Sequence, residues 1–359
     1  MRIVHVNPYH YPFMGGIEHR IHHLCKRLAK NHQVFVLTGR LPGTLADEEI
    51  EGYRVIRLPS WYINIYNPPY VRSKGVLDTL DGLKPDIVDF HYRWAPSYTN
   101  EVIRFRGAKV HTFHNMYGEG VGMMRYLSLF NDMRFAGKAR HFDRIICISE
   151  FVRRELERRG FDRSRLAVVP NGVEIPSALL TDEPFILSLG RMVSTKGLRY
   201  LVEAMREIDA PLKLAGAGPE EKRLRRLVDR FDLNDRISLL GKITEQEKAS
   251  LYASCRLFAM PSLQESSGIA AAEAMAYSRP VVCTNVGGLP EVVGDGGIMV
   301  PPKDPKALAD AINALWRDEA LRKSLSAKAR SRAELFTWDK QAKDLEAVYL
   351  QVLEERSGL

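Results

Sequence analysis

Nowhere in the 359 residues is there an apolar run of the roughly 18 residues that a membrane-spanning helix needs, which excludes a helical integral membrane protein. The opening Met1–Val6 stretch is apolar too briefly to read as a secretory leader, so the expected location is the cytoplasm. The four cysteines, Cys25, Cys147, Cys255 and Cys283, lie far apart without a Cys-x-x-Cys pair. That argues against a disulfide framework or a zinc ribbon and reads as single buried thiols in a reducing compartment. Low-complexity tracts and short-period repeats are also missing, so collagen-like, disordered and solenoid chains are excluded.

The composition is that of an ordinary globular protein, 45% hydrophobic and 27% charged. The length is more than twice the roughly 150 residues of a typical domain, so two domains with separate cores are expected. The formal net charge of +8 is unevenly held. Residues 1–177 carry 26 Lys and Arg against 18 Asp and Glu, whereas residues 178–359 carry 26 against 26. The basic excess of the first half suits anionic partners such as phosphate esters or acidic lipid surfaces.

Short β-branched runs alternate with helical patterns throughout. In the first half the expected strands are Ile3–Val6, Val34–Leu37, Arg54–Leu58, Ile87–Phe90, Val110–Phe113, Ile145–Ile148 and Leu166–Val169. In the second they are Phe185–Leu189, Leu212–Ala215, Ile237–Leu240, Leu257–Met260, Val281–Thr284 and Ile298–Val300. Continuous apolar strands separated by helices imply parallel sheets covered on both faces. The expected fold class is therefore α/β, with a doubly wound, Rossmann-like domain over residues 1–177 and a second over 178–337. Residues 338–359 form a helical tail, with Trp338, Ala342, Leu345, Tyr349 and Val352 at helical spacing. Two aromatic segments, Leu58–Val71 and Tyr117–Phe130, break the rhythm. They read either as loops folded onto the core or as an acceptor groove or membrane-facing lip.

Several short motifs could carry chemistry. Glu265-Ser266-Ser267-Gly268-Ile269 follows a strand and opens a helix, so backbone N–H groups point outward at the positive end of the helix dipole, ready for an anion. Glu273 lies further along that helix and can reach another part of the same ligand. Strand Phe185–Leu189 ends in Gly190-Arg191, with Lys196-Gly197 close behind, and two cations at the carboxyl end of a strand can clamp a diphosphate. Gly15-Gly16 follows the first strand, where backbone can approach a ligand. His111-Thr112-Phe113-His114 delivers two histidines at another strand end, His114 the better placed to face a cleft. Gly216-Ala217-Gly218 after a strand raises a dinucleotide-binding alternative, although the third glycine of that fingerprint is missing. His19 and His23, with His10 and His22 nearby, have helical spacing for a metal but no evident further ligand. Arg153–Arg159 reads as a solvated helix face or as part of a basic patch with Arg125, Arg134, Lys138, Arg140 and Arg144.

Taken in order, Gly15-Gly16-Ile17-Glu18, Val169-Pro170-Asn171-Gly172-Val173, Gly190-Arg191 with Lys196-Gly197, Gly216-Ala217-Gly218-Pro219, the Glu-x7-Glu element from Glu265 to Glu273, and Pro280-Val281-Val282 resemble glycosyltransferase family 4 from end to end. The resemblance implies the GT-B arrangement, two Rossmann-like domains facing a cleft, with the final helix crossing back to the first. It implies a retaining transferase that moves a hexose-type sugar from a nucleotide-diphosphate sugar, UDP- or GDP-linked, to an acceptor hydroxyl. By position, Arg191 and Lys196 would neutralise the pyrophosphate. Gly268 and Ile269, beside Ser267, would give N–H groups to phosphate, with Gly15 and Gly16 approaching from the first domain. Glu265 would hold sugar hydroxyls, Glu273 the ribose diol, the backbone near Ile243 the base, and His114 would sit beside the anomeric carbon. No metal or other cofactor is expected, since fixed cations supply the charge and the Asp-x-Asp metal motif of the other large glycosyltransferase fold is absent. Two departures stand out: Ser267 where many relatives have an aromatic, and Ser278 where many have glycine. The expected acceptor is a glycan or a lipid-linked or lipid-phosphate molecule at the inner membrane face, with the protein peripheral on an anionic surface. Nucleic acid is not an expected partner. A sugar-nucleotide epimerase on the same fold, or less favourably a dinucleotide-binding oxidoreductase, stays open as an alternative.

Overall fold

The computed structural model describes residues 1–13, 15–63, 70–119, 123–177 and 180–358. The chain forms two compact units, Met1–Gly172 together with Trp338–Leu359, and Val173–Thr337. The division therefore falls after Gly172 rather than after residue 177. Its cause is local: Val173 N–H bonds to Phe336 C=O at 2.7 Å and pairs as a bridge with Thr337, so both ends of the second unit close on each other.

In the first unit the strands are β1 (Arg2–Val6), β2 (Gln33–Gly39), β3 (Asp47–Ile50), β4 (Tyr53–Leu58), β5 (Ser60–Ile63), β6 (Tyr70–Ser73), β7 (Ile87–Phe90), β8 (Ala108–Phe113), β9 (Arg144–Cys147) and β10 (Leu166–Val168). Eight of them form one sheet in the order β10-β9-β8-β7-β1-β2-β4-β3, parallel except for β3 at the edge. Alternate residues serve opposite faces, as the two-residue period of a strand requires. Val4 and Val6 join one core with Leu37, Phe90 and Phe113. Ile3 joins another with Ile87 and Val110, and this face is covered by the helices Gly16–Leu28 and Trp338–Ser357. Trp338, fully buried, stacks on His23 with ring centroids 5.0 Å apart. His10 and His22 both bond to the Tyr53 hydroxyl, so these histidines are packing and hydrogen-bonding groups.

The second unit contains β11 (Glu183–Leu189), β12 (Leu212–Ala215), β13 (Ile237–Gly241), β14 (Cys255–Met260), β15 (Val281–Thr284) and β16 (Gly297–Val300). They form one parallel sheet in the order β13-β12-β11-β14-β15-β16. Ile186 faces one core with Leu214 and Leu257, and Phe185 and Leu187 face the other with Phe258 and Met275. In both units the chain winds one way from its first strand and then jumps to wind the other. The switch falls between β1 and β7 in the first unit and between β11 and β14 in the second. Crevices outside the carboxyl ends of strands at such switches are where open α/β sheets hold ligands.

The two aromatic segments differ from the expectation of loops. The first contains β5 and β6, paired antiparallel; residues 64–69, Tyr66 among them, lie outside the described residues. The second runs into the helix Met123–Ala139, with 120–122 outside the described residues. All four cysteines are free and buried. Among the described residues, no helix is long and apolar enough to cross a membrane.

Candidate active site

In the second unit the switch point gathers Gly190 and Arg191 after β11, and Pro261 through Gly268 after β14. A shallow pocket there is lined by Gly190, Arg191, Lys196, Met260, Pro261 and Ser262. Arg191 is exposed at its rim. Lys196 does not stand open beside it: its Nζ lies 2.5 Å from Glu265 Oε2, in a pair that is largely shielded from solvent. The cation expected at phosphate and the carboxylate expected at sugar thus hold each other across the switch.

Gly268 caps the helix Ile269–Ala276 without a side-chain hydrogen bond, leaving its first N–H groups for an outside acceptor. Ser267 is buried beside it. Gly288 N–H bonds to Glu265 C=O at 3.0 Å, so the segment that carries the glutamate is pinned by the β15 loop. Ser278, just past this helix, has φ of 56°, the left-handed region in which glycine alone is unstrained.

Glu273 is gripped at both oxygens. Lys248 Nζ lies 3.1 Å from Oε1, and the buried Tyr252 hydroxyl donates to Oε2 at 3.1 Å. Both belong to the helix Glu245–Ser254, which starts two residues after half-buried Ile243 under a Thr244–Glu247 capping box. The residue expected at the base therefore sits just ahead of the helix that carries the two groups fixing the glutamate expected at the ribose. Burial lowers Lys248, but Glu273 and Glu245 outweigh it, so its ammonium is held above its ordinary range. Burial and Glu273 push the Tyr252 hydroxyl well up. Sequence reasoning missed this pair, although their four-residue spacing on the helix after Ile243 was visible.

Gly216 and Gly218 do not open a ligand loop. A Cβ on Gly216 would stand 1.9 Å from Gly190 C=O, and one on Gly218 2.4 Å from Met192 C=O. These glycines let two strand-end loops touch, which removes the main support for a dinucleotide reading.

In the first unit, Gly15 is the N-cap of the helix Gly16–Leu28, and a Cβ on it would meet Glu18 Oε2 at 2.6 Å, whereas among the described residues nothing lies within 4 Å of a Cβ on Gly16. Glu18 is buried and accepts from Asn7 Nδ2 at 2.9 Å. Burial raises its carboxyl to about 7. Arg20, fully buried, donates to the C=O groups of Val169 and Pro170 and to Asn171 Oδ1, giving the Val169–Asn171 motif a structural task.

His114 follows β8 and heads a buried chain that the sequence did not reveal. Its Nε2 lies 2.9 Å from His91 Nδ1, and His91 Nε2 lies 2.9 Å from His5 Nδ1. His91 follows β7 at the switch, with its N–H bonded to Val6 C=O. Asp89 lies beside the inner link, 3.6 Å from His91 and 3.9 Å from His5, and accepts from Thr112 and from Tyr349 of the final helix. Burial lowers His91 and His114 well below the ordinary histidine range and takes His5 down to about 3. His5, Asp89 and His91 offer atoms within 4.8 Å of one another, a spacing that a cation could use. His111 instead packs among Phe90, Phe113, Phe135 and Phe142.

Residues 14–175 match the family model for glycosyltransferase family 4, and residues 174–332 match that for group 1 glycosyl transferases. The chain belongs to glycosyltransferase family 4. It is 28% identical over 353 residues to an uncharacterized glycosyltransferase of Methanocaldococcus jannaschii, covering 95% of each chain. It is 29% identical to the phosphatidyl-myo-inositol mannosyltransferase of Mycobacterium leprae, over 97% of this chain and 96% of that one. Among solved structures, sucrose-phosphate synthase from Thermosynechococcus elongatus superposes with a TM-score of 0.82 at 24% identity, covering 99% of each chain. At that identity the likeness establishes the fold, and this glycosyltransferase shares it.

Proposed function

We propose that this glycosyltransferase is a retaining enzyme that moves a hexose from a nucleoside-diphosphate sugar to a hydroxyl of a lipid-linked acceptor. The observation that carries the donor half is the gathering of Arg191, Lys196, Glu265 and the uncapped helix start at Gly268 on one switch point. A diphosphate entering there would draw Lys196 away from Glu265, satisfying the ammonium and freeing the carboxylate for sugar hydroxyls. Glu273, already oriented by Lys248 and Tyr252, would receive the ribose diol, with the base near Ile243.

Breaking the bond between the anomeric carbon and the phosphate oxygen builds negative charge on the leaving diphosphate. Arg191, Lys196 and the N–H groups of Gly268 and Ile269 would meet that charge, so they would bind the transition state more tightly than the ground state. The acceptor oxygen then bonds to the anomeric carbon on the face the phosphate leaves, and its proton passes to the departing phosphate oxygen. No metal is needed to neutralise the phosphates in this scheme.

The acceptor half rests on the helix Met123–Ala139. Met123, Tyr126, Leu127, Phe130 and Met133 are exposed along it, the least exposed of them at 51%. Arg125 and Arg134 are its exposed charges, while its one acidic residue, Asp132, is buried against Arg93. An apolar stripe flanked only by cations suits an anionic membrane surface. The Mycobacterium leprae relative is named for a phosphatidylinositol acceptor, which agrees with this reading. The Arg153–Arg159 run is a weaker surface, because Arg153 pairs with Glu150 and Glu157, and Arg159 with Glu155.

Calorimetry against UDP, GDP, UDP-glucose and GDP-mannose tests the donor site. One nucleoside diphosphate should bind, and Arg191→Ala should abolish the heat. The anomeric coupling of the product sugar should match the donor's. Binding of NAD alone, or consumption of the donor to a new sugar nucleotide without acceptor, would replace the transferase reading.

A further inference from the structure

The three linked imidazoles can carry their protons in only two neutral patterns. In one, every Nε2 is protonated: His114 donates to His91, His91 donates to His5, and the His5 Nε2–H ends the chain. In the other, every Nδ1 is protonated: His5 donates to His91, His91 donates to His114, and His114 keeps an N–H on its outer nitrogen. Any mixture leaves a link with two protons or none, or needs an imidazole of changed charge. The inner end discriminates between the two. His5 is fully buried, and its Nε2 has no hydrogen-bond partner among the described residues. A buried N–H without an acceptor is rarer in folded proteins than an acceptor left without a donor. The first pattern strands such an N–H; the second leaves a bare lone pair.

We propose that His5 and His91 are positioning residues that hold His114 in its Nδ1-protonated tautomer, so that it presents a hydrogen-bond donor, not a base, to an oxygen of the sugar or acceptor. The exposures run outward along the chain, 0% at His5, 2% at His91 and 8% at His114, so only the last imidazole can meet a ligand. Asp89, held by Thr112 and Tyr349, flanks the inner link, which carries one proton in either pattern, so the choice between the patterns rests on the buried His5 Nε2. The final helix thereby reaches the chain through one hydroxyl. The assignment of the ligand rests on the transferase reading above, in which the departing phosphate takes the acceptor proton and no histidine base is required.

The test is long-range 1H–15N spectroscopy of the full-length, histidine-labelled protein without ligand, assigned with His5→Asn, His91→Asn and His114→Asn. Protonated Nδ1 and bare Nε2 are expected at all three residues, the reverse of the tautomer a neutral imidazole prefers in water. Protonated Nε2 at the three positions would overturn the proposal. So would one equivalent of zinc per chain in protein purified without chelator, since the lone pairs would then face an ion. Two variants add a kinetic readout. An asparagine amide can stand where His91 Nδ1–H stands, so His91→Asn should keep kcat within a few-fold. His91→Leu should lower kcat about tenfold or more, with the Kd for nucleoside diphosphate unchanged. Equal kcat in the two variants would also overturn it. If His91→Leu fails to fold, the wild-type spectrum decides alone. Loss of nucleotide binding in the wild type would defeat the transferase reading and leave the tautomer result standing.

Discussion

Glu273 shows how a single carboxylate is made ready for a ligand. Its two oxygens are assigned to different partners, Lys248 and Tyr252, so neither rotates freely. Tyr252→Phe removes a hydroxyl that lies 3.1 Å from both Glu273 Oε2 and Ala270 C=O and has one proton to share between them, and should cost roughly 1.5 kcal/mol of interaction, the low end for a bond to a charged group. Part of that cost would reach the ligand, and nucleotide affinity measured by calorimetry should fall several-fold with the fold intact. Unchanged affinity would mean that Glu273 does not touch the nucleotide. Ser278 gives a second prediction at this scale. Its φ of 56° strains any residue with a Cβ, so Ser278→Gly should stabilise the second unit by about 1 kcal/mol in thermal unfolding. What the sequence revealed of the site follows from chain proximity. Gly190-Arg191, Glu265 and Glu273 could be read because motif and strand end lie together. His5–His91–His114 could not, because β1, β7 and β8 bring together residues 86 and 23 positions apart. The Lys196–Glu265 pair, 69 positions apart, was hidden for the same reason.

At the level of elements, every apolar strand expected from the sequence is present, since parallel strands buried on both faces read as continuous β-branched runs. The elements that escaped are the ones built otherwise. β3 is an acidic edge strand, Asp47–Ile50, with no apolar run to announce it. β5 and β6 form a hairpin whose Trp61 is 58% exposed, so it lacks the buried signature as well. The helix Met123–Ala139 is apolar on its solvent side, contrary to the pattern by which surface helices are recognised. Its inner side is anchored instead by Asp132, which accepts from Arg93 Nε at 2.6 Å, Trp94 Nε1 at 2.9 Å and Gly118 N–H at 2.8 Å. The anchor and the exposed stripe are separable. Phe130→Glu should abolish co-sedimentation with anionic phospholipid vesicles and leave unfolding within about 0.5 kcal/mol of the parent. Retained vesicle binding would remove the helix from the acceptor reading.

Across the whole molecule, the histidines and carboxylates that burial shifts lie in the first unit, and they give it a pH dependence of definite sign. His5 and His10 are lowered to about 3, and His91, His111 and His114 well below 6.5, burial being the leading cause in each. Below pH 6.5 the unfolded chain gains protons at these five positions while the folded chain does not, so acidification favours unfolding. Glu18 and Asp89 oppose this: burial raises both to about 7, so from about pH 4.5 to 7 they stay protonated in the fold while the unfolded chain releases them. Their contribution is therefore lost as pH rises. With His22 also lowered by burial and Glu155 also raised by it, the histidines still outnumber the carboxylates, and the unit should lose stability steadily from pH 6.5 towards 5 and level off above 7. Trp61, Trp94 and Trp338 lie in this unit and Trp316 in the other, so tryptophan fluorescence follows it preferentially. His111 isolates one histidine of the five, since both its nitrogens lack partners among the described residues and its ring lies among phenylalanines. His111→Leu should raise the unfolding midpoint and flatten the acid limb by one proton, about 1.4 kcal/mol per pH unit. An acid limb of unchanged slope would show that His111 is not among the groups whose protonation unfolds the unit.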